Sequence, residues 1–132
     1  MKLFVFITLL LIVNLTYQIC DIKLVITRSE NIPDNLYVQV ERSDKKISKL
    51  IKLKSPTSRR RIKIKYHNCL EQKVRVTSLK TLKDEYTLVD RKEALIDGIG
   101  SITYKIEEDG KISIPQRRGI ICMFGDCGNA SG

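Results

Sequence analysis

Residues 22–27 read Ile22-Lys23-Leu24-Val25-Ile26-Thr27, with large apolar side chains at every second position. The same period of two recurs at residues 36–40 and 61–66, and it predicts half-buried strands. Further strands are predicted at residues 73–77, 86–89, 101–106, 111–114 and 119–124. Short strands at about 10-residue spacing predict an all-β fold, a single antiparallel β-sandwich of seven to eight strands with at most one short helix.

Breaks between strands are predicted at residues 31–34, 55–58, 97–98 and 108–110, where Pro, Gly, Asn, Asp and Ser cluster. Two segments depart from simple alternation. Asp90 precedes Glu93 by three residues, a capping-box variant that predicts one or two helical turns through Ile96, ended by Gly98. Residues 45–54 fit either a helix or a strand, and we predict a strand.

The N-terminus has the three parts of a secretory signal peptide. Lys2 is followed by an apolar run over residues 3–13 and then by polar residues 14–18. The run is shorter than the roughly 20 apolar residues that span a membrane. We therefore predict a signal peptide at residues 1–20, a β-sandwich domain at 21–124, a flexible tail at 125–132, and a secreted or lumenal protein whose mature chain has no transmembrane segment. The cleavage site is unmarked, so Cys20 is kept or lost with it.

The four cysteines, Cys20, Cys69, Cys122 and Cys127, are even in number, which in a secreted chain indicates two disulfides. Gly125 and Asp126 suit a tight turn. We predict a Cys122–Cys127 bond, which leaves Cys20 with Cys69. The spacing does not match a zinc site, and no cofactor is predicted.

Positive charge is concentrated in one part of the chain. Residues 41–65 hold eleven Lys or Arg and two acidic residues, a net charge of +9 that equals the charge of the whole chain. If 59–67 is a strand, its odd positions share one face as a ladder of cations. A solvated face is the alternative, but like charges repel and a polyanion would supply counterions. The predicted ligand-binding residues are Lys45, Lys46, Lys49, Lys52, Lys54, Arg59, Arg60, Arg61, Lys63 and Lys65.

The chain resembles the C2 domain over residues 21–121. Ile26-Thr-Arg-Ser29-Glu-Asn31-Ile32 is similar to that family's first strand, Asp34-Asn-Leu-Tyr37-Val38 to its D-P-Y-V, and Asp97-Gly98-Ile99-Gly100 to its D-x-I-G. The resemblance implies a lipid- or protein-binding sandwich with a lysine-rich strand face. Ser78 and Lys80 stand where the family would place D-x-D. Asp34 and Asp97 alone provide too few oxygens for calcium, so we expect binding without calcium.

These features predict a secreted, non-enzymatic module that binds an anionic membrane surface or an acidic polysaccharide through its basic strand face. Nucleic acid would bind by charge alone, without base reading, because residues 41–65 contain no stacking aromatic. One alternative is a small ribonuclease-like hydrolase that uses His67 with Glu71 or Glu85. Another is a sandwich that binds other proteins.

Overall fold

The computed structural model describes residues 2–15, 20–42, 50–55, 57–66 and 73–128. Within these ranges the chain forms one helix and six strands, so the prediction of a mainly β protein is confirmed. The elements are α1 (Lys2–Leu15), β1 (Cys20–Arg28), β2 (Leu36–Arg42), β3 (Arg60–Tyr66), β4 (Lys73–Leu82), β5 (Glu85–Ile106) and β6 (Ile112–Gly125).

All six strands belong to one sheet, in which the order is β2-β4-β5-β1-β3 and β6 also pairs with β5. The long strand β5 organises it. Its residues 85–95 pair with β4, its residues 99–106 pair with β1, and β6 runs along residues 94–106. Since β6 overlaps both neighbours, β4 and β1 must lie along the same edge of β5, one after the other. The sheet curls as a result and encloses the core.

The buried residues of the core lie at the alternating apolar positions from which the strands were predicted. Ile22, Leu24 and Ile26 of β1 are completely buried. They share the interior with two valines of β4 and with the inward residues of the second half of β5. Those residues are Val74, Val76, Ile102, Tyr104 and Ile106. The odd positions of β1 therefore point away from the core, because side chains alternate across a strand.

Strand direction was predicted wrongly in one place. β1 and β5 pair in parallel, with Leu24 opposite Ile102 and Ile26 opposite Tyr104. The sheet is therefore mixed, whereas the predicted sandwich was antiparallel throughout. Alternation shows which face of a strand is buried, but it carries no information about the direction of the neighbouring strand.

The predicted number of strands, seven to eight, was also higher than the six that the described residues form. The predicted strands 86–89 and 101–106 both lie within β5, and those at 111–114 and 119–124 both fall in β6, which begins at Ile112. The break predicted at residues 97–98 is wrong, because β5 continues through it. Gly98 has a φ of 113° there, and the β5–β6 register shifts between Gly98 and Ser101.

The short helix predicted from Asp90 to Ile96 is wrong as well. Ala94 and Ile96 are buried on one face of β5, and Ala94 pairs with Val74 of β4. Asp90 does not cap a helix. Its carboxylate accepts hydrogen bonds from the backbone N–H groups of Arg91 and Ile112, both at 2.8 Å, and so links β5 to the start of β6.

The predicted strand at 45–54 is only partly described, since residues 45–49 lie outside the described ranges. Ile51 forms an isolated antiparallel bridge with Val38 of β2, in which both N–H···O bonds are made, at 2.8 and 2.9 Å. Residues 52–54 are not in a strand. The buried Ile51 side chain and the half-buried Leu53 close this edge of the core.

The Cys122–Cys127 disulfide is confirmed, with the two Cα atoms 6.1 Å apart. Cys20 is also disulfide-bonded, while its predicted partner Cys69 lies outside the described residues. Strand β6 ends at Gly125, and Cys127 beyond it is buried. Among the described helices, none is long and apolar enough to cross a membrane.

Candidate anion-binding face

Three of the four cations of β3 point away from the core. Ile62 is half-buried and Ile64 is buried on the inner side of the strand. The residues between and beside them, Arg61, Lys63 and Lys65, are therefore on the outer side, and all three are exposed. The structure thus places three of the predicted site residues in one row along a single strand.

Cations from two other strands lie on the same side. Lys63 is directly opposite Lys23 of β1, Lys23 is opposite Ser101 of β5, and Ser101 is opposite Arg118 of β6. Directly opposite residues have Cβ atoms about 4.5–5.5 Å apart. This row crosses four strands and carries three positive charges. We call Lys23, Arg61, Lys63, Lys65 and Arg118 the basic face.

The basic face lacks internal neutralisation. Among the described residues, no carboxylate lies within ion-pair distance of any of its five cations. Asp21 is the acidic neighbour, opposite Lys65 in the β1–β3 register. Like charges directly opposite one another, such as Lys23 and Lys63, destabilise a sheet. A bound polyanion would remove that cost.

The other half of the sheet shows the contrast. Arg75 of β4 donates to Glu41 of β2 at 3.1 Å and to Glu93 of β5 at 3.2 Å. Lys73 lies 3.6 Å from the second Glu93 oxygen. Lys73 and Arg75 on this outer surface are therefore paired with carboxylates from neighbouring strands, whereas the cations of the basic face are not.

Several predicted site residues are elsewhere. Lys52 has its Nζ atom 5.8 Å from the ring centroid of Tyr37 in β2, a cation–π arrangement on the other half of the sheet. Lys54 is exposed outside any strand, and Arg59 and Arg60 are exposed at the start of β3. Lys45, Lys46 and Lys49 lie outside the described residues.

The sequence did not point to Lys23 and Arg118 as members of the face. Lys23 is an isolated cation in β1, and Arg118 lies more than 50 positions after Lys63 in the chain. The only indication in the sequence was that Lys23 lies between the apolar Ile22 and Leu24, at a position that alternation places on the outer face of the strand. The register of four strands is needed to bring these residues together.

An open groove at the ends of β1 and β5 is a second surface feature. Its walls carry both signs of charge, from Arg28 and Lys105 and from Glu30, Glu107 and Glu108. The Arg28 guanidinium is held in place by hydrogen bonds within the protein, because it donates to the backbone carbonyls of Leu53, Ser29 and Glu30 at 2.9–3.2 Å. With Asp109 the groove carries four carboxylates against two cations, so it is net acidic and does not fit a polyanion.

The described residues contain no group of three or more His, Cys, Asp or Glu side chains that could hold a metal ion. Asp34 is exposed in the turn before β2, and Asp97 is half-exposed in β5 opposite Ile121. His67 and Glu71, named for the hydrolase alternative, lie outside the described residues, while Glu85 is exposed at the start of β5.

Comparison of the chain with protein-family models, curated proteins and solved structures gives no match. The resemblance to the C2 domain stays a prediction.

Proposed function

We propose that the protein is a non-enzymatic module that binds polyanions, anionic lipid surfaces or acidic polysaccharides, through the basic face and without calcium. The observation that carries the proposal is the cross-strand pair of Lys63 and Lys23, two cations facing each other with no carboxylate within ion-pair distance among the described residues. If no ligand bound at this pair, an acidic residue in place of one of the two lysines would make the sheet more stable.

The charge of the whole chain supports the same function. A formal net charge of +9 creates a long-range positive potential that draws polyanions toward the molecule. Each cation near an anionic membrane contributes about 1 kcal/mol, and this contribution falls with added salt. Arg61, Lys63 and Lys65 of β3 together would then contribute about 3 kcal/mol, which is roughly a 100-fold change in affinity.

A secreted location and a C2-like sandwich are parts of the proposal. The apolar α1 after Lys2 and the Cys122–Cys127 disulfide support passage through an oxidising compartment. The long strand β5 pairs with β4 over its first half and with β1 over its second half, and this curl of the sheet supports a sandwich-like packing of its two halves. In that location the available polyanions are acidic polysaccharides and exposed anionic lipids.

Two charge-matched variants test the proposal. In the first, Arg61, Lys63 and Lys65 are replaced by Ser. In the second, Lys83, Arg91 and Lys111, exposed cations elsewhere on the surface, are replaced by Ser. Heparin-column elution and co-sedimentation with phosphatidylserine vesicles measure binding, and circular dichroism checks the fold.

The first variant should lose about 100-fold in affinity at physiological salt, and the second much less. Equal losses would mean that net charge rather than this face determines binding. Undiminished binding of the first variant would also contradict the proposal.

A further inference from the structure

Four large apolar side chains are exposed on β6 and on the part of β5 that pairs with it, residues 94–106. Ile99 is 67% exposed, Ile121 59%, Met123 56% and Phe124 68%. We call these four residues the apolar patch. Single exposed apolar residues are common on protein surfaces, but a group of them beside each other marks a contact surface.

The register places the patch on the same side of the sheet as the basic face. Ile99 is opposite Asp21, an outward residue of β1, and Asp21 is opposite Lys65 of β3. Ile121 is opposite Asp97, two residues before Ile99 on β5. The patch and the cations are therefore parts of one continuous outer surface.

An irregularity between β5 and β6 produces this arrangement. Arg118 and Ile121 are three residues apart, a spacing that would put them on opposite sides of a regular strand. The register shift beside Gly119, which has a φ of 67°, turns both outward. Bulges of this kind commonly re-aim side chains at functional sites.

Cations border the patch. Lys65 of β3 is separated from Ile99 by Asp21 of β1, and Arg118 precedes Ile121 by three residues on β6. Lys73 of β4 has its Nζ atom 5.8 Å from the Phe124 ring centroid. An apolar centre bordered by cations is the composition of surfaces that lie at a membrane–water interface, where the apolar groups enter the acyl boundary and the cations contact anionic headgroups.

We infer that, of the polyanions included in the proposed function, on which this inference rests, the one that the surface fits is an anionic lipid bilayer, with the apolar patch inserted at the interface. Charge decides between occupants. A second copy of this chain would bring +9 against +9, and a polysaccharide offers no apolar phase for Ile99, Ile121 and Phe124.

One test compares two sets of three apolar substitutions. The first replaces Ile99, Ile121 and Phe124 by Ser. The control replaces Leu82, Tyr86 and Leu88 by Ser, three apolar residues of similar exposure around the β4–β5 turn. Affinity for phosphatidylcholine vesicles containing phosphatidylserine should fall at least tenfold in the first set only, while elution from heparin stays unchanged in both.

Vesicle binding that is unchanged in the first set would overturn the bilayer inference and leave the proposed function standing. An equal loss on heparin would also overturn it, because the patch would then act on any polyanion. If the wild type binds neither heparin nor vesicles, the proposed function itself fails. Loss of self-association in the first set, with vesicle binding intact, would identify a second copy as the occupant.

A milder variant gives an independent readout. The chain contains no Trp, so Phe124→Trp introduces a single fluorescent reporter with little change in shape. Its emission should shift to the blue on anionic vesicles and be quenched by brominated lipids, with no shift on heparin. Leu88→Trp is the control and should not respond. Identical responses at the two positions would contradict insertion of the patch.

Discussion

Tyr104 is the largest of the completely buried side chains, and burial raises the pKa of its phenol well above the ordinary value. Its hydroxyl makes no hydrogen bond to another of the described residues. The core therefore tolerates a neutral phenol but opposes its ionised form, because a buried charge without a partner is strongly disfavoured.

This difference makes stability fall at high pH. In the unfolded chain tyrosine ionises near about pH 10, whereas the folded protein holds Tyr104 protonated, so the unfolded state binds fewer protons above that pH. The contribution is fully present below about pH 10 and decreases by about 1.4 kcal/mol per pH unit above it. We expect Tyr104→Phe to remove this part of the pH dependence.

Urea unfolding at about pH 9 and about pH 11 measures the effect, with Tyr86→Phe, at an exposed position, as the control. At neutral pH, Tyr104→Phe should change the free energy of unfolding by less than about 1 kcal/mol, since no hydrogen bond to a described residue is lost. A slope above pH 10 identical in wild type and Tyr104→Phe would show that the phenol is ionised in the folded protein.

At the scale of the elements, the close approach of the β5 and β6 backbones depends on glycine. A Cβ atom added at Gly100 would overlap the carbonyl oxygen of Arg118, so the two backbones lie too close for any side chain there. We expect Gly100→Ala to cost about 2 kcal/mol or more of folding free energy, because backbone rather than a flexible side chain must move.

Ser101→Ala is the matched control, at the next position on the outer side, and should change stability by less than about 0.5 kcal/mol. Thermal and urea unfolding of the two variants provide the comparison. If both are equally stable, the close approach of β5 to β6 is not a constraint on the fold.

Individual elements show how far the sequence determines the structure. The alternation in residues 22–26 correctly identified the buried face of β1, and the odd parity of residues 61–65 correctly identified the outer face of β3. The helix predicted at residues 90–96 is wrong because pairing with β4, which buries Ala94 and Ile96, outweighs the local capping pattern. Local propensity yields to tertiary pairing in such cases.

The candidate site was only partly predictable for the same reason. Strand parity is local, so Arg61, Lys63 and Lys65 of β3 could be placed on one side from the sequence. Which strands lie beside β3 is non-local, so Lys23 and Arg118 could not. The register shift at Gly119 also reverses the parity of β6 between Arg118 and Ile121, and alternation alone would have separated them.

At the scale of the whole molecule, Cys20 limits where the proposed signal peptide could be cleaved. It is the first residue of β1, it is buried, and it is disulfide-bonded. Cleavage after Cys20 would remove both the bond and the start of the strand. For the proposed secreted form we therefore expect the mature chain to begin at or before Cys20, as measured by intact mass and N-terminal sequencing. A mature chain that begins at Asp21 would contradict this expectation.

The basic face extends across four neighbouring strands. A ligand bound to it should therefore change the amide chemical shifts of β3 and of the outward positions of β1, β5 and β6 together. Amide chemical-shift mapping by NMR during titration with a heparin-derived oligosaccharide tests this most directly. The expected shifts lie along β3 and at Lys23, Ser101 and Arg118, with little change around the paired Arg75 of β4. Shifts centred on β2 and β4, or on the groove beside Arg28, or no shifts at all, would contradict the assignment of the basic face as the polyanion-binding surface.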